Sequence, residues 1–159
     1  MKRILCLLLA GALLCLAGCG SLSKAERNIK KRTGVGLDLS GCRVVSEKDS
    51  HGGFLGDGEY LLVLDCSGSE DKLLAQTGDW SDLPLSDNIR TVLYDWGVAE
   101  NCGMPAVSEG RWYFYDRFAD DAALDRRSDA KLLSRPAENF SLLLYDSGNS
   151  ILYYFEMDT

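Results

Sequence analysis

Residues 41–66 read GCRVVSEKDSHGGFLGDGEYLLVLDC, and the fold turns on how this stretch is paired. Two apolar-rich runs, Gly41–Glu47 and Glu59–Cys66, flank Lys48–Gly58, a segment of turn residues with glycine at 52, 53, 56 and 58. Folding the stretch about Phe54 sets Cys42 opposite Cys66, Arg43 opposite Asp65, Val44 opposite Leu64 and Val45 opposite Val63. One register thus aligns two thiols, two opposite charges and two apolar pairs, the combination that cross-strand pairing favours. The prediction is a β-hairpin. Opposed strand residues lie within the separation a disulfide needs, so a Cys42–Cys66 bridge is predicted with it.

Outward from that hairpin, Arg111–Asp116 (RWYFYD) predicts a third strand. Phe140–Tyr145 and Ile151–Phe155 predict a closing hairpin across Asp146–Ser150. Ser69–Gln76 predicts a short helix with Ser69 as N-cap, an acidic first turn and a stop at Gly78. Ser86 caps a second helix whose Ile89, Val92, Leu93 and Trp96 recur at i, i+3, i+4 and i+7 and which Gly97 ends. Residues 98–110 look irregular, and 117–139 look polar with one helical turn around Ala122–Leu124. Short connections between neighbouring strands imply antiparallel pairing. The expected architecture is a small α+β domain, an antiparallel sheet of about five strands with two or three helices on one face.

Composition narrows the function classes. A chain of 159 residues suits one domain, and 46% apolar residues excludes wholesale disorder. A net charge of −7 excludes a nucleic-acid partner, which would require a basic face against phosphates. A single His excludes the multi-His metal sites of many hydrolases. No P-loop, CxxC, GxGxxG or GxSxG motif occurs, so no cofactor and no metal centre are expected.

The N-terminus carries an address. Met1-Lys2-Arg3 precedes an apolar run from Ile4 to Leu16, too short for a membrane span but right for a signal-peptide core. The run ends in Leu16-Ala17-Gly18-Cys19, which resembles the lipobox of bacterial lipoproteins. That resemblance implies a diacylglyceryl group on the Cys19 thiol, cleavage just before Cys19, and anchoring at the extracytoplasmic face of a cell membrane. The chain then divides into a signal peptide (1–18), a lipidated Cys with a basic juxtamembrane helix (19–33), and one α+β domain (34–159). A second resemblance is looser. The run from Asp38-Leu-Ser-Gly-Cys42 through His51-Gly-Gly-Phe54 to Gly56-Asp-Gly58 is similar to small lipoproteins of Gram-positive gut anaerobes, and it implies no activity.

Charge is uneven in the mature chain. Residues 24–32 (KAERNIKKR) carry net +4, and everything beyond residue 33 carries −13. Ser23 and Glu26 match a capping box, so a helix is expected to start there, with its cations on a solvated face or against an anionic membrane. Of the cysteines, Cys6 and Cys15 leave with the signal peptide, Cys19 takes lipid, and Cys102 is left free or paired between molecules.

Candidate chemistry is sparse. A hydrolase reading makes His51 the base, Asp49 or Asp57 its orienter, and Ser50 or Ser67 the nucleophile. A calcium reading uses Asp49, Asp57 and Glu59, but the EF-hand spacing is absent. The acids Asp116, Asp120, Asp121 and Asp125 suggest a solvated face, and Trp80, Trp96 and Trp112 suggest core. The loop 48–58 mixes the sole His with Phe54, Leu55 and acids, a composition suited to contact, so His51, Phe54 and Asp57 form the candidate interaction loop. The expected function is a lipid-anchored binding module with an unidentified protein partner. The alternatives are an immunity or inhibitor lipoprotein and a small surface hydrolase using His51.

Overall fold

The computed structural model describes residues 20–52, 56–118 and 125–159. In chain order these form helix α1 (20–33), strands β1 (Arg43–Asp49) and β2 (Gly58–Asp65), helix α2 (Glu70–Leu74) and the two-residue strand β3 (Ser81–Asp82). Helices α3 (Asp87–Arg90) and α4 (Val98–Cys102) follow, then β4 (Gly110–Asp116), β5 (Phe140–Asp146) and β6 (Ile151–Asp158). One antiparallel sheet takes the order β1-β2-β6-β5-β4-β3. The chain is therefore α+β, with six strands where about five were expected.

The predicted first hairpin forms, with Arg43 opposite Asp65 and Val44 opposite Leu64. Cys42 and Cys66 are disulfide-bonded with Cα atoms 4.1 Å apart. Val45 does not face Val63. A β-bulge at Val45 hands that place to Ser46, and Val45 stands 53% exposed. The extra residue twists the edge strand, a common way of blunting a sheet edge. Replacing both Cys42 and Cys66 by Ala is expected to lower stability by about 3 kcal/mol, from loop-closure entropy. Urea denaturation of oxidised wild type against the double variant measures it; equal midpoints would contradict it.

Helices cover both faces of the sheet, where sequence reading placed them on one. Leu62 and Leu64, with Leu143, Tyr145, Leu152 and Tyr154, pack under α1 (Ala25, Ile29) and α2 (Leu73). The alternate residues Leu61, Leu142, Leu144 and Phe155, with Phe114, pack against α3 and α4 (Ile89, Val92, Leu93, Ala99). The reason lies in the central strands. Every residue of β5 is buried, so neither of its faces is left to water, as its run FSLLLY, apolar but for Ser141, favours. Among the described residues, both cores are built from Leu22 onward.

Several helical expectations change in detail. Ser86 does cap α3, its Oγ accepting from the Ile89 N–H at 3.3 Å. Beyond Arg90 the helix widens into a π-helical turn, Thr91–Asp95, with the Trp96 N–H donating to the Thr91 carbonyl. The wider turn breaks the 3.6-residue phase, so Ile89, Val92 and Leu93 are fully buried while Trp96 is 50% exposed. Helix α4 occupies residues expected to be irregular, entered and left through left-handed Gly97 and Gly103. Ser69 precedes α2 without capping it through its side chain; its Oγ donates to the Cys66 carbonyl instead. Ser23 lies within α1, which already runs from residue 20, so the capping box does not form. Glu26 accepts the Leu39 N–H.

Trp80 is buried and Trp112 half-buried, as core residues should be. Asp116, assigned to a solvated face, is fully buried, and the Arg135 guanidinium pairs with it and supplies the compensating charge. The expected turn at Ala122–Leu124 lies outside the described residues, as do Asp120 and Asp121. No described helix is long and apolar enough to cross a membrane.

A candidate ligand cleft between helix α1 and the first hairpin

Strand β1 ends at Asp49, and the chain turns at once. Asp49 Oδ1 accepts the backbone N–H of His51 at 3.0 Å and lies 2.7 Å from its ring Nδ1, an aspartate-built turn that fixes the imidazole. Ser50 locks the same turn to β2, donating to Glu59 Oε2 at 2.7 Å and accepting the Glu59 N–H at 2.8 Å. Gly58 is required here, since a Cβ at that position would stand 2.6 Å from the His51 N and Cα.

The other ring nitrogen, Nε2, lies 3.1 Å from Asp158 Oδ2 at the end of β6. A carboxylate oxygen thus faces each of the two ring nitrogens. Asp158 Oδ1 takes a 2.7 Å hydrogen bond from Arg117 Nη1. The buried Arg117 also donates through Nη2 to the Phe140 and Met157 carbonyls, both at 2.9 Å, and lies 3.7 Å from Glu156. Glu156, only 5% exposed, is paired with Arg32 of α1 at 3.1 Å and accepts the Tyr154 hydroxyl at 2.5 Å. Tyr60 stacks edge-to-face on Tyr154 and donates to Glu47, which Lys24 of α1 approaches to 3.5 Å.

These contacts border an open cleft of about 300 Å³. Helix α1 contributes Lys24, Asn28, Lys31 and Arg32; the sheet contributes Glu47, Asp49, Tyr60 and Glu156, with His51. Cations line one wall and carboxylates the other. Hydrogen bonds from His51, side chain first and then backbone, hold the Asp49 carboxyl below the usual carboxylate range. Burial, with Glu47 beside it, pushes the Tyr60 phenol up, so it stays a donor across the physiological range. Such a site suits a small ligand carrying both signs of charge, or a polar segment of a partner.

Asp49 sets up one test of the cleft. A depressed carboxyl pKa adds stability that is present above the unfolded value of about 3.9 and lost as pH falls through the folded value. In His51→Ala the Asp49 carboxyl should titrate closer to that ordinary value, and the acid limb of the stability curve should move up in pH. An NMR titration of the Asp49 carboxyl carbon checks it; an unchanged midpoint would show that the ring does not hold the carboxylate.

Of the sequence-nominated residues, His51 lies in the cleft and Asp57 does not. Asp57 is exposed, its carbonyl accepting from Gly52 at 3.4 Å. Phe54 and the lipid-attachment candidate Cys19 lie outside the described residues. The hydrolase arrangement is not assembled: Asp49 orients His51, but Asp158 occupies Nε2, Ser50 is bonded to Glu59, and Ser67 is fixed by its N–H to Asp65. Nor do the calcium candidates converge, since Asp49 serves His51 and Glu59 serves Ser50. Among the described residues, no group of three or more His, Cys, Asp or Glu is placed to hold a metal ion. Lys31, Arg32, Arg117, Glu156 and Asp158 were not nominated. The one available signal was Glu156, a charge set inside the apolar run ILYYFEM.

No known protein family, curated protein or solved structure matches the chain.

Proposed function

We propose that this chain is a lipid-anchored extracytoplasmic binding module, working without catalysis, that takes its ligand in the cleft between α1 and the first hairpin. The observation that carries the reading is the cleft itself. It is open, lined by both signs of charge, and its one imidazole has a carboxylate oxygen against each ring nitrogen. Support for the anchor comes from the lipobox-like Leu16-Ala17-Gly18-Cys19 and from the Cys42–Cys66 disulfide, which suits an oxidising compartment. Two acyl chains on one residue hold a protein stably, at about 0.8 kcal/mol per buried methylene.

Two variants test the two halves. Cys19→Ser should accumulate unprocessed precursor and lose lipid label; a processed, membrane-bound Cys19→Ser protein would overturn the anchoring. Lys31→Glu cuts the charge of the α1 wall (Lys24, Lys31 and Arg32) from +3 to +1 at an exposed site, so its melting temperature should stay close to wild type. Partners crosslinked to wild type in intact cells should be lost from Lys31→Glu, and an identical set of partners would remove the cleft from the reading.

A further inference from the structure

Helix α1 has two unlike sides. Ala25, Ile29 and Thr33 are buried, with Leu22 packed beside them, at the spacing of one helical face. Positions 20, 24, 27 and 31 repeat at the same spacing on the opposite side, where Lys24, Arg27 and Lys31 are exposed with Lys30 next to them. Lys24 reaches Glu47, but Arg27, Lys30 and Lys31 have no acidic partner among the described residues. The described part of the helix starts at residue 20, the next residue in the chain after Cys19. The rest of the chain, from residue 33 on, carries −13.

We propose that the outward face of α1 docks on anionic phospholipid headgroups and lays the domain on the bilayer with α1 beneath it. The proposal rests on the lipid-anchored reading for its biological setting. Charge complementarity names the occupant: a basic stripe on an otherwise acidic body is drawn to an anionic surface, while the net −13 remainder is repelled. A lipid on the residue before the helix holds that stripe within a Debye length of the headgroups, where each basic side chain strengthens attachment about fivefold.

The test supplies the anchor by chemistry, so it does not depend on whether cells lipidate Cys19. The chain from Cys19 onward, which retains both cores, is coupled through the Cys19 thiol to a maleimide lipid; Cys42 and Cys66 are bridged and Cys102 is buried. Anchored protein on phosphatidylglycerol vesicles and on phosphatidylcholine vesicles is then acylated with a membrane-impermeant amine reagent and mapped by mass spectrometry. Lys30 and Lys31 should label several-fold more slowly on the anionic vesicles, high salt should erase the difference, and Arg27→Glu should reduce it. Lys131, next to a residue of the α3-side core, should label equally on both. Equal labelling of Lys30 and Lys31 on the two vesicles would overturn the proposal while leaving the Cys19→Ser result to judge the anchor. So would full protection in Arg27→Glu, or protection of Lys131 as well.

Discussion

Phe155→Ala is expected to lower the unfolding free energy by about 3–5 kcal/mol, the upper part of the range for large-to-small core changes. The ring is fully buried on β6, faces the α3 side of the sheet and packs 5.8 Å from Phe140. Its strand is hydrogen-bonded on both edges, to Leu61 of β2 and Leu142 of β5, so the walls of the cavity cannot close inward. Chemical denaturation of the variant gives the number, and a loss under about 1 kcal/mol would contradict the packing. Trp96→Ala is the contrasting case. Helical periodicity puts that ring in the core; the π-helical turn puts it half in water, and the expected change is within about 0.5 kcal/mol.

Arg117→Met should cost a similar amount, about 3–5 kcal/mol, for an electrostatic reason. Arg117 is 8% exposed at its side chain and links Asp158, Glu156 and two backbone carbonyls. Methionine fills much of the volume but leaves Asp158 with His51 and no guanidinium, and both carbonyls short of a donor, and desolvated groups that lose partners are the expensive outcome. The double variant Arg117→Met, Asp158→Asn should recover part of the loss, because it removes the stranded charge. Additive losses in the double-mutant cycle would show that the ion pair is not what Arg117 contributes.

The tertiary organisation was partly legible and partly misread. A run such as FSLLLY, with Ser141 its one polar residue, has no solvated face, and such a strand is best covered on both sides. Short loops argue for an antiparallel sheet, and because such sheets often leave one side wet, they point to helices on one face, against this signal. The cleft was less accessible still. Arg32 and Glu156 meet across 124 positions of sequence, and His51 and Asp158 across 107. No local pattern encodes either pair.

By itself the sequence determined what depends on near neighbours: the first hairpin and its disulfide, the closing hairpin, the Ser86 cap and the polarity of α1. Alternation, turn chemistry and capping act over a few residues, so they can be read without knowing where the rest of the chain goes. Only the tertiary structure decided that β6 enters between β2 and β5, which brings Glu156 and Asp158 under α1 and beside His51. It also decided the bulge at Val45 and the π-helical turn before Trp96. Each of these departs from a local period, and such departures are set by long-range packing, which no window of sequence contains.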